Sequence, residues 1–265
     1  MSSTNQETAA PAALDGRTWR QYFPKGDLWV FGYGSLIWKP PPHYDQRVPG
    51  YIEGYVRRFW QASTDHRGTK ERPGRVVTVI EREFWETLDD PHAPLEPAGT
   101  NRVWGAAYHI PSSHAEEVHD YLDVREIDGY SVHYTPFHPL SPALSTPETA
   151  IESASAPITC MVYIGQPSNP QFLRDPARRE PQDVADVISR GHGQSGKNTE
   201  YLYLLEKALE GIGLGSADGH VTDLVRRARA IEGSGEARRE EEKAERDVRL
   251  SLSKAPTEEE ADLSE

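Results

Sequence analysis

A glycine-interrupted apolar stretch decides how this chain begins its fold: residues 28–38 read LWVFGYGSLIW. Its first part is a compact apolar and aromatic run, which is typical of a buried strand, and Gly32 and Gly34 end that strand in a turn. Successive N–H groups in such a turn can hold a carboxylate or an oxyanion, helped here by the hydroxyls of Tyr33 and Ser35. Spacing alone leaves a second interpretation open, an ordinary tight turn.

Five more strand-like runs follow the first one. They lie at 50–61, 75–80, 103–110, 130–137 and 158–164, each bounded by Pro, Gly or charged turns. Apolar residues at helical spacing lie at 111–124, 183–189, 199–210 and 217–231. Strands early and helices grouped late predict an α+β fold with a closed or half-closed sheet.

Composition predicts one globular domain between two flexible ends. The chain has 265 residues, of which 36% are hydrophobic and 27% charged, enough to bury a core. Residues 1–26 are rich in Ala, Ser, Thr and Pro and are predicted to be a disordered extension. The domain is expected at 27–232, with a surface insertion at 140–157, and 233–265 forms a charged acidic tail.

Charge and cysteine content exclude several classes of protein. The net charge is -13, which argues against nucleic acid binding because phosphate contacts need clustered Lys and Arg. No apolar run approaches the roughly 20 residues of a membrane helix, and the start lacks a secretory signal. The single Cys160 allows no internal disulfide. We therefore expect a cytoplasmic protein that acts without a membrane, nucleic acid or obligate protein partner.

A second motif places three carboxylates near the end of a predicted helix. Residues 121–130 read YLDVREIDGY and include Asp123, Glu126 and Asp128. A carboxyl group shielded there by Tyr and Ile can have a raised pKa and act as a base. Spacing does not decide which carboxylate this is, and an Arg125–aspartate pair that only holds a turn is an alternative.

Longer blocks resemble one family, the ChaC-like gamma-glutamylcyclotransferases. The matching blocks, in family order, are VFGYGSLIWKP at 30–40, GYVRRFWQ at 54–61, STDHRG at 63–68, PGRVVT at 73–78, VWGAAY at 103–108, 121–130 and GQSGKNTEYL at 193–202. The resemblance spans about residues 28–214. One departure is Ile127-Asp128, because the family usually has a basic residue after the catalytic glutamate.

The resemblance implies both a fold and a reaction. The fold is a small mixed β-barrel surrounded by helices. The activity is lyase-type cleavage of glutathione to 5-oxoproline and L-cysteinylglycine, with Glu126 as general base and no metal or other cofactor. The residues that hold the γ-glutamyl group are Gly32, Tyr33, Gly34, Ser35, Leu36 and Ile37.

Some assignments stay open at this level. Arg75, or Arg72, is a candidate partner for the glycine carboxylate of glutathione, although both also fit a solvated strand edge. Other γ-glutamyl compounds are alternative substrates. A non-catalytic module that binds a γ-glutamyl ligand or a partner protein is the alternative outside enzymes.

Three local patterns are assigned to structure rather than chemistry. Residues 191–198, GHGQSGKN, nearly match a phosphate loop, but Asn198 replaces the required Ser or Thr and a polar helix precedes it. Asn198 or Thr199 is predicted instead to cap the following helix. Cys160 lies in an apolar run and is assigned to the core. The histidine pairs 114/119 and 133/138 lack a zinc spacing, so no metal site is predicted.

Overall fold

The computed structural model describes residues 16–96, 101–126, 128–140, 156–213 and 216–235. Residues 1–15 of the predicted extension, residues 141–155 of the predicted insertion and the tail from 236 lie outside the described residues. The strands are β1 Leu28–Gly32, β2 Gln46–Glu53, β3 Tyr55–Ser63, β4 Gly74–Glu81, β5 Arg102–Ile110, β6 Ser131–Pro139, β7 Ile158–Ile164, β8 His192–Gly193 and β9 Gly196–Lys197. The helices are α1 Arg82–Trp85, α2 Ala115–Arg125, α3 Pro181–Arg190, α4 Asn198–Glu210 and α5 at 219–235.

Five strands close into a mixed barrel in the order β1-β5-β2-β6-β7. Four of the pairings are antiparallel. The ring is closed by a parallel contact of β1 with β7, at Val30 opposite Met161. Within the barrel, closure leaves no free strand edge, whereas the separate β3–β4 and β8–β9 sheets are two-stranded and have edges. The predicted α+β class, a small mixed barrel with helices around it, is confirmed.

The single strand predicted at 50–61 is two strands that belong to different sheets. Gly54 separates them and has a φ of 84°, a left-handed conformation that glycine adopts without steric cost. As a result β2 stays in the barrel, whereas β3 pairs with β4 in a separate hairpin. The apolar pattern runs through both strands and does not reveal this change of direction.

Residues 16–26 are part of the fold, so the prediction of a disordered extension is wrong for this segment. It contains a 3-10 helix, Gly16–Gln21. Trp19 and Phe23 are buried in the same apolar cluster as Leu28 and Leu122. Two large aromatic side chains supply enough buried area to order the segment, which the average composition of the first 26 residues conceals.

The helices cover the barrel in two groups. α2 buries Ala115, Val118 and Leu122 against one side of the barrel. α3, α4 and α5 bury their apolar faces in the cluster that contains Phe31 and Cys160. Cys160 is fully buried on β7, as predicted. This packing brings the end of α2, the turn after β1 and the β8–β9 hairpin around one cavity.

Candidate active site

The main cavity has a volume of about 470 Å³. Its lining residues are Ser35, Trp38, Lys39, Pro40, Ser63, His66, Arg67, Val76, Tyr121, Arg125, Glu126, Asp128, Tyr130, Ser195 and Tyr201. A recess of about 30 Å³ lies under the glycine turn, lined by Gly32, Tyr33, Gly34, Ser35 and Leu36 together with Glu126. The structure therefore brings the two sequence motifs, at 28–38 and 121–130, to one place. Ile37 is the exception, because its side chain is buried in the core.

The glycine turn is shaped by close packing and by one buried arginine. A Cβ atom on Gly34 would lie 2.8 Å from Val77 Cγ2 and 2.9 Å from the Tyr201 hydroxyl oxygen, closer than such atoms approach in folded proteins. Arg57 Nε donates to the Tyr33 carbonyl oxygen at 3.1 Å and is itself held by Asp218, 2.8 Å from Nη1. The turn is thus preformed, and only glycine fits at position 34.

The two hydroxyls of the turn have different roles. The Tyr33 hydroxyl donates to the Tyr163 carbonyl oxygen at 2.7 Å, so its proton is used within the fold. Burial raises the pKa of Tyr33 well above its ordinary value, which keeps the phenol neutral. Ser35 Oγ accepts from Arg125 Nη2 at 3.1 Å. The hydroxyl proton of Ser35 can therefore be donated into the cavity.

Hydrogen bonds distinguish the three carboxylates near the end of α2. Asp123 accepts from the Tyr163 hydroxyl at 2.7 Å. Asp128 accepts from the Thr64 hydroxyl at 2.6 Å and from the Thr64 N–H at 3.1 Å. Glu126 Oε1 accepts no hydrogen bond from the described residues. Two of the carboxylates are thus engaged by hydroxyl groups of other segments, and the carboxylate of Glu126 faces both the cavity and the recess.

The surroundings of Glu126 favour its protonated form more than water does. Burial raises its pKa, and the opposing charges of Arg125 and His66 reduce that rise without cancelling it. Arg125 Nε lies 3.3 Å from Glu126 Oε1. Tyr130 and Tyr201 line the same space, and burial raises the pKa of both phenols, so they stay neutral. This carboxylate accepts a proton more readily than an exposed one.

His66 connects Ser195 with the backbone of Arg125 beside Glu126, a contact that the sequence alone did not predict. His66 Nε2 lies 3.2 Å from the Arg125 carbonyl oxygen and His66 Nδ1 lies 2.9 Å from Ser195 Oγ. Because a carbonyl can only accept, Nε2 carries a proton and donates to Arg125, while Nδ1 and the Ser195 hydroxyl share the second hydrogen bond. His66 and Ser195 lie in two of the family-like blocks, at 63–68 and 193–202, which was the available signal.

Arg75 does not line the cavity, whereas another arginine does. The buried guanidinium of Arg75 donates to the carbonyl oxygens of Pro73 and Gly74 and lies 4.0 Å from Asp183 on α3. It is buried in the packing between β4 and α3. Arg67 lines the cavity instead. The structure gives no support to Arg75 as a substrate-binding residue.

The segment that resembles a phosphate loop is a short hairpin, β8–β9, followed by α4. The predicted cap at Asn198 or Thr199 is wrong, because the N-cap residue of α4 is Lys197 and its side chain makes no capping hydrogen bond. The Asn198 side chain instead pairs with the backbone of Arg75, accepting from its N–H and donating to its carbonyl oxygen, both at 2.7 Å. This pairing fixes the hairpin against β4.

The fold and site together define a class of protein. A closed mixed barrel holds a shielded carboxylate opposite a glycine turn, an arrangement suited to general acid–base chemistry on a small molecule. The sequence matches the family described as ChaC-like protein over residues 28–231. The chain belongs to this family, which confirms the resemblance seen in the sequence.

Similar proteins with assigned names are found in two yeasts. The glutathione-specific gamma-glutamylcyclotransferase of Schizosaccharomyces pombe is 42% identical over 208 residues, 76% of this chain and 92% of that protein. Its Saccharomyces cerevisiae counterpart is 39% identical, covering 74% of this chain and 91% of that protein. A crystal structure of the glutathione-specific yeast enzyme matches with a TM-score of 0.67 at 36% identity, covering 77% and 96% of the two chains. The enzyme class predicted from the sequence is the class of these relatives.

Within the described ranges, no helix is both long enough and apolar enough to cross a bilayer.

Proposed function

We propose that this chain is a glutathione-specific gamma-glutamylcyclotransferase with Glu126 as its general base. The observation that carries the proposal is the carboxylate of Glu126, which lies beside the glycine turn with a raised pKa and an oxygen that accepts no hydrogen bond from the described residues. The names of the yeast relatives support glutathione as substrate. We further propose that the enzyme acts in the cytoplasm without an obligate partner, in keeping with its acidic charge and single cysteine.

The two parts of the cavity suit the two parts of glutathione. The γ-glutamyl group lies in the cavity against the glycine turn with one of its oxygens in the recess, where N–H groups at the start of the 3-10 turn and the Ser35 hydroxyl can bind a carboxylate or an oxyanion. The larger cavity takes the cysteinylglycine part. Arg67 and Arg125 line it and supply positive charge for the carboxylate of the glycine residue.

The proposed reaction is an intramolecular aminolysis. The neutral α-amine attacks the γ-carbonyl carbon, so that a new C–N bond closes the five-membered lactam and the γ-amide C–N bond breaks. One proton leaves the attacking nitrogen and one proton reaches the departing nitrogen of cysteinylglycine. A single carboxylate that accepts the proton and then returns it balances both steps. No water is consumed.

Positioning and proton transfer both contribute to the rate. Holding the amine against its own carbonyl draws on the effective molarity of ring closure, which can contribute on the order of 7 kcal/mol or more. General base catalysis by a positioned carboxylate typically contributes about 100-fold or more. The pKa of Glu126 serves this role because burial raises it, which makes the carboxylate a stronger base than an exposed one.

The test measures 5-oxoproline and cysteinylglycine released from reduced glutathione by mass spectrometry. Glu126→Gln keeps the shape of the side chain but cannot accept the proton, so we expect turnover to fall by at least about 100-fold. Glu116→Gln is the matched control, because Glu116 is an exposed residue of the same helix, paired with Arg20 at 2.7 Å. The control is expected to retain wild-type turnover, and both variants should keep the wild-type circular dichroism spectrum and melting temperature.

Three other results would change the assignment. Equal turnover by wild type and Glu126→Gln would remove Glu126 from the mechanism. Consumption of γ-glutamyl amino acids but not of glutathione would keep the class of reaction and change the substrate. Absence of reaction with every γ-glutamyl compound, together with tight binding of glutathione, would favour a binding module.

A further inference from the structure

Two arginines line the cavity, and the fold holds their guanidinium groups in different ways. Arg67 follows β3 and is 5% exposed, and Arg125 ends α2 with 15% of its side chain exposed. Burial of a guanidinium is costly unless its N–H groups have partners. The N–H groups that the fold already uses therefore show which ones are left for a ligand.

Each nitrogen of the Arg125 guanidinium contacts a different part of the site. Nη1 donates to the Lys39 carbonyl oxygen at 2.9 Å, and Nη2 donates to Ser35 Oγ at 3.1 Å. Nε lies 3.3 Å from Glu126 Oε1. One planar group thus connects the segment after the glycine turn, the Ser35 hydroxyl and the carboxylate of Glu126. The point charge of a lysine cannot make three such directed contacts.

The guanidinium of Arg67 is held through one nitrogen. Its described hydrogen bonds both involve Nη1, which donates to the Lys197 carbonyl oxygen at 2.8 Å and to Glu200 Oε2 at 3.5 Å. The Glu200 side chain is 57% exposed, so water weakens this ion pair. Nε and Nη2 share another edge of the guanidinium, and such an edge binds a carboxylate through two parallel hydrogen bonds. Arg67 therefore keeps a pair of donors for a ligand.

Arg67 lies within reach of a ligand bound at the glycine turn. Its Cζ atom is 5.7 Å from the centroid of the Tyr201 ring. The hydroxyl oxygen of the same tyrosine lies 2.9 Å from the position of a Cβ atom on Gly34. One tyrosine ring thus separates the guanidinium from the turn. Cysteinylglycine is two residues long and extends at most ~7 Å, so its carboxylate can reach Arg67 from the turn.

We propose that the two arginines have separate functions, a division that rests on the function proposed above. Arg67 binds the glycine carboxylate of glutathione and selects it over γ-glutamyl compounds that have no carboxylate at this distance. Arg125 is a positioning residue that holds the Ser35 hydroxyl and the carboxylate of Glu126. It adds positive charge to the cavity, but the site already occupies its three nitrogens.

The test compares glutathione with its monoethyl ester at the glycine carboxylate, by steady-state release of 5-oxoproline. The ester keeps the γ-glutamyl and cysteinyl parts and lacks the charge that Arg67 binds. In Arg67→Met we expect the ratio of kcat/KM for glutathione to that for the ester to fall at least about 10-fold, because a charge-assisted hydrogen-bonded pair is lost. In Arg125→Lys, which keeps the charge, we expect kcat for both substrates to fall at least about 10-fold, with the ratio unchanged.

Arg72→Met is the matched control, because Arg72 is exposed and is not among the described residues that line the cavity. It should keep the wild-type kcat and the wild-type ratio. Melting temperatures show whether each variant is folded. Arg67→Gln, which can still donate to the Lys197 carbonyl oxygen, repeats the measurement if Arg67→Met is unstable, and Arg125→Gln does the same for Arg125→Lys.

The outcomes separate this division from the proposed function. An unchanged ratio in the folded Arg67 variant would overturn the role of Arg67. A wild-type kcat in the folded Arg125 variant, or an effect on KM alone, would overturn the role of Arg125. Both results leave the proposed function standing, since the wild type still turns over glutathione. Absence of 5-oxoproline release by the wild type would overturn the proposed function and this division with it.

Discussion

Hydrogen-bond donors from other segments of the fold distinguish Glu126 from the neighbouring carboxylates of Asp123 and Asp128. Asp123 and Asp128 accept hydrogen bonds from Tyr163 and Thr64, so their charges are engaged in structure. Glu126 Oε1 accepts no hydrogen bond from the described residues and is only ion-paired with Arg125, whose Nε lies 3.3 Å away. A carboxylate with this freedom is the one suited to exchange a proton with a ligand. Gly34 is the second residue that defines the site, because its surroundings leave no room for a Cβ atom.

Gly34→Ala should impair substrate binding more than folding. The added methyl group would lie 2.8 Å from Val77 Cγ2 and 2.9 Å from the Tyr201 hydroxyl oxygen, so the turn or Tyr201 must shift into the recess. We expect kcat/KM for glutathione to fall by about 100-fold, because small displacements of reacting groups have effects of that size. Steady-state kinetics and a melting curve measure the two effects separately.

Gly233→Ala is the matched control for that substitution. Gly233 lies in α5, and a Cβ atom there would meet nothing within 4 Å. We expect wild-type kinetics and a gain of about 1 kcal/mol in stability, because alanine favours helices over glycine. Wild-type kinetics in Gly34→Ala would show that the recess does not hold the γ-glutamyl group.

The buried side-chain amide of Asn198 holds the β8–β9 hairpin in place against β4. The hairpin contacts the loop after β3 through hydrogen bonds from the Gln194 and Ser195 N–H groups to the carbonyl oxygens of Asp65 and His66. Asn198, fully buried at the start of α4, pairs with both backbone groups of Arg75. The side-chain amide thus makes the two hydrogen bonds that the backbone of a neighbouring strand would make. It positions Ser195 next to His66, and through His66 next to Arg125.

Asn198→Ala should therefore destabilise the fold by about 2–4 kcal/mol, since it leaves a buried N–H and a buried C=O without partners. Urea unfolding followed by circular dichroism gives the free energy of unfolding. The control is Gln194→Ala, at an exposed position of the same hairpin, for which we expect a change below about 0.5 kcal/mol. Equal effects of the two substitutions would contradict the role given to Asn198.

At the scale of the whole molecule, two buried histidines connect distant parts of the chain. His220 Nε2 accepts from the Phe59 N–H at 3.0 Å, so its proton is on Nδ1, which lies 2.6 Å from His92 Nδ1. His92 Nε2 in turn lies 2.9 Å from Asp223 Oδ2. This chain joins β3, the segment after α1 and α5. It requires both imidazoles to be neutral, since each ring donates once and accepts once.

The histidine chain should make stability depend on pH. Burial lowers the pKa of both His220 and His92 below their ordinary value. The unfolded chain therefore binds more protons than the folded chain below about pH 6.5, and the free energy of unfolding falls as pH decreases from there. His220→Gln keeps an acceptor for Phe59 and a donor for His92 but does not titrate. We expect a smaller loss of stability between pH 7.5 and 5.5 in this variant, measured by urea unfolding.

His109→Gln serves as a control of opposite sign. The folded pKa of His109 is raised, chiefly because its hydrogen bonds to Asp45 and Asp27 outweigh burial. His109 therefore adds stability that is present at low pH and is lost as pH rises through its folded pKa. Removing it should make the loss of stability toward pH 5.5 larger. A pH dependence that is the same in both variants and the wild type would show that neither histidine controls it.

Residue patterns alone predicted most of the elements, the α+β class and the two motifs of the site, and the family resemblance added the mixed barrel. Local patterns are sufficient there, because a strand that ends in glycines and a helix that ends in carboxylates are encoded by neighbouring residues. The resemblance added the family, which the match over residues 28–231 confirmed. The apolar pattern did not reveal the break between β2 and β3, which depends on the backbone angle of Gly54. Nor did composition reveal the ordered segment around Trp19, which depends on two buried aromatic side chains.

Which side chains meet in space depends on the packing of distant segments. Asp123 and Asp128 differ from Glu126 because they accept hydrogen bonds from Tyr163 and Thr64, far away in sequence. The burial of Arg75 against α3 likewise depends on contacts between distant segments. Hydrogen bonds and desolvation act over a few ångströms of space, so their effects follow from which segments the closed barrel brings together. Residue spacing along the chain does not contain that information.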